Sequence, residues 1–232
     1  LVSTDPAVRA VAALDDEQRA RIYAFVRAEH RPVTREQAGA AVGISRKLAA
    51  FHLDKLVATG LLRVRDQDAA GEPRVGRRPK VYEPTDVEVR INIPARQHDL
   101  LATILLDAVL AEPGPGGSVE AATRVAHRRG VELGAAVRAE RRPGRLGAER
   151  ALHLAAQLLA RYGYEPVRPT PSSLRLRNCP FHPLTDRAPE LVCAINHAFI
   201  AGILAGVEAD SLTATLTPPA DGGCCVELAP RR

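Results

Sequence analysis

Residues 33 to 85, VTREQAGAAVGISRKLAAFHLDKLVATGLLRVRDQDAAGEPRVGRRPKVYEPT, constrain the fold most, because helix caps, a tight turn and two alternating runs follow one another there. Thr34, with Gln37 three residues on, forms a capping box that predicts a short helix to about Val42, and Gly43 supplies the turn. Ser45 then caps a second helix, from Arg46 to about Thr59, which Gly60 ends. Helical spacing puts Ala49, Leu53 and Leu56 on one face of it and Arg46, Lys47, Ala50 and Asp54 on the other. Beyond it, Leu62 and Val64 alternate with Arg63 and Arg65 as in a half-buried strand. A loop over residues 66 to 73 follows, and residues 74 to 85 return as a second strand.

The outward positions carry long cations. Arg46 and Lys47 stand in the first turn of a helix long enough to enter a major groove, within reach of base edges or phosphates. Arg74, Arg77, Arg78 and Lys80 crowd the hairpin tip, RVGRRPK, where Gly76 removes bulk and Pro79 stiffens the backbone, so that guanidinium groups there can follow phosphates or enter a minor groove. The capping residues Thr34 and Ser45 and the neighbouring Ala50, Phe51 and His52 complete the candidate contact set. Phe51 and His52 read first as packed side chains, with contact to a thymine methyl or a base as their other reading. GISRKLAAFHLDKLVATGLL followed by GRRPKVYEPT resembles the winged helix-turn-helix regulators grouped with the ArsR-like family, over roughly the first ninety residues. That resemblance implies a winged domain bound to double-stranded DNA.

The chain has 232 residues, long enough for two modest domains, and 46% of them are hydrophobic. Only 3% are aromatic, with no Trp or Met, so the cores must be built from Leu, Val, Ile and Ala, which favours helices. The formal charge of +5 suits a polyanionic partner, although its placement at the hairpin says more than its size. Lys occurs only at 47, 55 and 80, an Arg bias that points to GC-rich coding as much as to binding. No run of eighteen apolar residues and no signal-peptide pattern stands out, so the expectation is a cytoplasmic protein without a membrane partner.

Before the opening stretch, Asp15 or Asp16 can cap a helix from Glu17 to about Glu29. After it, Val87, Val89, Ile91 and Ile93 alternate as a strand or an extended connector. A helix over residues 95 to 110 carries Leu100, Leu101, Ile104, Leu105 and Val109, a surface too broad for a helix alone in solvent. Its place after a winged domain suits a homodimer, because two recognition helices must lie about one DNA turn apart, and packing on the chain's own second half is the other reading. EPGPGGS breaks the pattern at residues 112 to 118. Ser118 then caps a helix to about Arg141, and another runs from about 146 to 162. Extended pieces follow, EPVRPTPSS, LRLRN and CPFHP, then an apolar helix over residues 189 to 206 and the short strands LTATLT and CCVEL. The fold expected is mainly α with an α+β second domain: a winged helix-turn-helix domain at 1–94, a dimerisation helix and linker at 95–117, and an effector domain at 118–232 with a small antiparallel sheet.

All four cysteines lie in the last quarter, which suits a local site rather than a secreted disulfide framework. Cys179 and His182 share NCPFH, Cys193 follows on the apolar helix ahead of Asn196 and His197, and Cys224 and Cys225 open the last strand. Soft thiolates with imidazoles can hold zinc or an iron–sulfur cluster. Neighbouring strand residues face opposite ways, so one of Cys224 and Cys225 would join Cys179 and Cys193, with His182 or His197 as a fourth ligand. Buried cysteines acting as small hydrophobes are the competing reading. NCPFHPLTDRAPELVC with the later GCC resembles the effector half of a subgroup of these regulators and, more loosely, the cluster-holding repressors of iron–sulfur assembly genes; here the first spacing is longer and the last cysteine doubled. The apolar helices could also enclose a small-molecule effector.

These features together predict a regulator of transcription, in the sense of a repressor, whose DNA affinity responds to a metal, redox or small-molecule effector. A DNA-binding module whose second domain only dimerises or recruits a protein is the alternative. A thiol enzyme fits less well, since no glycine-rich oxyanion or phosphate loop accompanies the cysteines.

Overall fold

The computed structural model describes residues 5–66, 79–111, 117–217 and 223–231. The chain divides into two compact units, Leu1–Ile91 and Asn92–Arg232, each mainly helical with a small antiparallel sheet.

In the first unit, α1 (Pro6–Ala13) and α2 (Glu17–Ala28) precede β1 (Val33–Thr34), α3 (Arg35–Val42), α4 (Arg46–Ala58), β2 (Leu62–Asp66) and β3 (Lys80–Pro84). Caps fix the helices as their sequences require. Asp16 Oδ1 accepts from the Arg19 amide at 2.8 Å, the Thr34–Gln37 capping box is complete, and Gly43 stands at φ 78°, a left-handed turn that favours glycine. α1, capped by Asp5, has no counterpart in the sequence expectations. The strands are ordered β1-β3-β2, with Val33 opposite Tyr82 and Arg63 opposite Glu83. Ile22, Val26, Val33, Ala49, Leu53, Leu56, Leu62 and Tyr82 form the core. Only Leu62 of β2 is buried; Val64, expected to face inward with it, is exposed.

A hydrogen-bonded triad ties this unit's sheet to its helices. Tyr82, sealed at the ring, donates from its hydroxyl to Asp54 Oδ1 at 2.9 Å and accepts from Arg35 Nε at 2.7 Å. β3, α4 and α3 therefore meet at one polar point above an apolar core.

The second unit contains α5 (His98–Leu110), α6 (Ser118–Arg141), α7 (Ala148–Arg161), β4 (Pro166–Thr170), β5 (Ser173–Leu176), α8 (Leu184–Arg187), α9 (Pro189–Gly206), β6 (Leu212–Leu216) and β7 (Val226–Pro230). The strands are ordered β4-β5-β7-β6, every pair antiparallel. α5 lies within this unit, burying Leu101 and Ile104 in its core, so the boundary falls at Ile91 and not at residue 94. The residues from 87 to 93, read as a strand or connector, form no strand. Gly117, not Ser118, is the N-cap of α6.

The contact between α6 and α9 depends on glycine. A Cβ at Gly202 would stand 2.1 Å from the His127 carbonyl oxygen, and one at Gly130 2.2 Å from that of Phe199; Gly134 and Gly206 are equally confined. The two G-x-x-x-G pairs let the backbones touch, which no larger residue permits. α9 has the length and apolarity to cross a membrane, contrary to the sequence expectation that no such stretch exists. Here Val192, Ile195, Phe199, Ile200 and Ile203 are spent in the core of the second unit.

Candidate functional site

Two candidates emerge, one in each unit. The first is the outer side of α4. Ala49, Leu53 and Leu56 are wholly buried, whereas Ser45, Arg46, Lys47, Leu48 and Phe51 are exposed and Ala50 is half-buried. The helix is about 20 Å long at 1.5 Å per residue. Phe51, expected in the core, is 53% exposed and carries Lys55 Nζ 5.6 Å from its ring centre; Leu48, which the sequence reading passed over, is 39% exposed beside it. Large apolar side chains held out between cations make a surface suited to being covered.

Other members of the predicted set take different places. His52 is 4% exposed, its ring set edge-on to Phe51 and 3.8 Å from Asp16 Oδ1, so it packs the unit and does not reach a base. The Thr34 and Ser45 hydroxyls accept from the amides of Gln37 and Leu48 at 3.2 Å, which commits both to capping. Arg46 is paired with Glu36 of α3, a contact it must exchange to reach a phosphate. Lys80, half-buried, opens β3 opposite Asp66. Arg74, Arg77 and Arg78 lie outside the described residues, as do residues 67 to 73 of the expected loop. The hairpin also carries Arg63 and Arg65, both exposed and sharing the single carboxylate of Glu83 at 2.7 and 3.1 Å. Their strand alternation was legible in the sequence, and their exposure follows from it.

The second candidate lies inside its unit, a group of thiols of which Cys179, Cys224 and Cys225 are buried and Cys193 is half-buried. Cys179 follows β5, Cys193 lies on α9, and Cys224 and Cys225 precede β7. The thiols act on one another electrostatically in series, Cys193 and Cys224 on Cys225 and Cys224 on Cys179. Both thiols of the adjacent pair lie near Asn196, at 3.0 Å and 3.8 Å from its Nδ2, and both precede the strand, where the alternation used in the sequence reading does not apply. The Cys224 amide donates to the Leu176 carbonyl at 2.9 Å, and the Thr217 amide to that of Cys225 at 2.8 Å, which pins the pair between the ends of β5 and β6.

Polar residues from neighbouring elements complete the group. Asn196, one turn after Cys193 on α9, is fully buried; its Nδ2 donates to Cys224 Sγ at 3.0 Å and its Oδ1 accepts from the Tyr164 hydroxyl at 2.6 Å. Asn178 donates to the Gly163 carbonyl at 2.5 Å and accepts from Arg96 at 2.6 Å, which anchors the turn bearing Cys179. Tyr164 and Asn178 carried no signal in the sequence, since nothing in their spacing links them to the cysteines.

The series sets the thiols apart electrostatically. Hydrogen bonding from Cys224, helped by Cys193 and Asn196, holds Cys225 down at about 6 against the opposing effect of burial. Cys179 is lowered as well, chiefly by Cys224 and with the Phe181 and His182 amides contributing. Cys224, as donor to both, is pushed far up, and burial pushes Cys193 up to about 12. A thiolate at Cys225 or Cys179, wrapped by thiol and amide donors, is the arrangement this favours.

The imidazoles expected as further ligands stand apart. His182 Nδ1 lies 3.3 Å from Thr185 Oγ1 and 3.6 Å from Asp186 Oδ1, and His197 Nε2 lies 3.0 Å from the Ala214 carbonyl oxygen. Among the described residues no three His, Cys, Asp or Glu side chains are arranged to hold a single metal ion, so the zinc site expected from Cys179, Cys193, His182 and one of the paired cysteines does not form. What remains is an all-sulfur donor set, the chemistry by which proteins hold iron–sulfur clusters. No protein-family model matches the chain, and no curated protein is similar to it.

Proposed function

We propose that the chain is a winged helix-turn-helix regulator that binds double-stranded DNA through the outer side of α4 and the β2–β3 hairpin, acting as a repressor whose affinity is set by its second unit. The observation that carries this reading is the division of α4. Its inner face is sealed by Ala49, Leu53 and Leu56, while Arg46, Lys47 and Phe51 project outward from its first turns. Cations supply the sequence-independent attraction to phosphates, and an exposed ring and methyl groups supply contacts for thymine methyls.

The unit acts on DNA as a homodimer in this account. α5 leaves Leu106, Val109 and Leu110 exposed, at 58%, 81% and 74%, after spending Leu101 and Ile104 on its own core. A second copy of the same helix face would cover them, and two-fold pairing suits a two-fold operator. The protein is not an enzyme in this reading: among the described residues, His182 and His197 bond to Thr185 and to the Ala214 carbonyl, and neither is seen bonded to a thiol as a base would be.

The effector site is the thiol group. Its donor set fits an iron–sulfur cluster, which Cys179, Cys193, Cys224 and Cys225 would hold. Bound there, the cluster would supply a charged centre whose presence depends on iron and oxidant. Because the four cysteines come from the β5 turn, α9 and the approach to β7, ligation would tie three elements together, and its loss would release them. For that to regulate, the loaded and unloaded proteins must differ in DNA affinity.

Anaerobic purification followed by metal analysis, a visible spectrum and DNA titration tests both halves. The account expects bound iron and sulfide, with DNA affinity that changes on their removal. A colourless, metal-free protein with full DNA affinity removes the cluster, and absence of DNA binding in every form removes the regulator.

A further inference from the structure

Away from the thiols, the end of α6, the start of α7 and β4 border an open cleft of about 420 Å³, within the range of small-molecule sites. Its lining is divided. Pro143, Leu146 and Leu154 provide an apolar floor, and Arg141, Arg150 and Arg168 stand around it. Among the described residues the one carboxylate in the lining is Glu149, whose Oε1 is 4.0 Å from Arg168 Nη1, so these residues carry an excess of positive charge.

Neutral acceptors hold the other two guanidinium groups in place. Arg141 donates to Gln157 Oε1 at 2.5 Å, and Gln157 Nε2 in turn lies 2.8 Å from His153 Nε2. Arg150 donates to the Arg145 carbonyl at 2.6 Å. These bonds orient the cations without neutralising them. A bare inorganic anion would leave the floor uncovered, and a hydrocarbon would leave the guanidinium groups without a counter-charge. A molecule with both parts satisfies both, because guanidinium pairs with carboxylate in a planar, two-point geometry while the apolar body covers the leucines.

We infer that this cleft binds a small organic acid, a monocarboxylate with an aliphatic or aromatic body. The inference goes beyond the regulatory reading and stands apart from it, since the site shares no residue with α4 or the thiol group and binding is measured without DNA.

The test is calorimetric titration of the full chain with octanoate and with benzoate, alongside 1-octanol and inorganic phosphate, with saturation-transfer NMR to show whether the carbon body is in contact. The carboxylates are expected to bind with their body protons saturated, about tenfold or more tighter than the alcohol, the difference one charge-assisted contact makes, and about tenfold or more tighter than the phosphate, which leaves the apolar floor uncovered. Arg150→Glu, at an exposed position, should weaken octanoate by a similar factor with an unchanged circular dichroism spectrum, and Leu146→Glu should abolish the saturation of the tail. Octanol equal to octanoate, phosphate equal to octanoate, unchanged affinity in Arg150→Glu, or no binding by either carboxylate would each overturn the inference.

Discussion

Cys225 shows how far one residue's surroundings can move its chemistry. Donors from Cys224, Cys193 and Asn196 hold its thiol at about 6 where an ordinary cysteine stands at 9.0. A depressed pKa means that the folded state favours the thiolate; this stabilisation is complete above the unfolded pKa and is lost as pH falls through about 6. Metal-free protein should therefore gain stability from pH 6 toward 9, and the thiolate absorbance of one sulfur should titrate near 6. Cys225→Ser should remove that step, and a wild-type titration with no thiolate below pH 8 would contradict this electrostatic arrangement. Tyr82 is the matching case in the first unit. Its hydroxyl joins Asp54 to Arg35, and Tyr82→Phe leaves both charged partners without it. A loss of about 1–3 kcal/mol in urea unfolding is expected, the usual scale for hydrogen bonds to charged groups; a change below a few tenths would show that water replaces the hydroxyl without cost.

Among the elements, the crossing of α6 and α9 leaves no room for a side chain. Gly202→Ala would press a methyl group against the His127 carbonyl at 2.1 Å, so the helices must part along their whole contact. The expected penalty is about 3 kcal/mol or more, the upper end of overpacking costs, seen as a lowered denaturation midpoint; a neutral substitution would mean that the helices are not so close. α5 makes a different prediction. Leu106→Glu with Val109→Glu places charge on a face that the proposed homodimer would cover and a monomer exposes. The double variant should sediment as a monomer while the parent chain sediments as a dimer, and a monomeric parent would remove the dimer.

The elements also separate what the sequence could reveal from what it could not. Capping residues and helical spacing located α3 and α4 to within a residue, because those signals are local: Thr34, Gln37, Ser45 and Gly60 act on their immediate neighbours. The apolar helix over Pro189–Gly206 was legible for the same reason. The inward and outward sides of α4 were also legible, apart from Phe51, since hydrophobic character alone does not say whether a ring is covered. The thiol group was only partly visible. The cysteines could be named, but that Cys224 and Cys225 both join it depends on where β7 begins, and Tyr164 and Asn178 enter through contacts between elements far apart in the chain. His182 illustrates the converse: three residues from Cys179, it turns to Thr185 and Asp186.

For the molecule as a whole, the proposal is that one unit reads DNA and the other conditions the reading. Each unit has its own core and its own polar fastening, the Arg35–Tyr82–Asp54 triad in one and the Tyr164–Asn196–Cys224 series in the other. The most direct measurement is selection of duplexes from a random library by the full chain, followed by anisotropy titration of the enriched sequence over a range of salt. The account predicts a preferred sequence whose affinity falls by about 1–3 kcal/mol in Lys47→Ala and in Arg46→Ala, with a smaller salt dependence in each. No enriched sequence, or unchanged affinity in both variants, would contradict it.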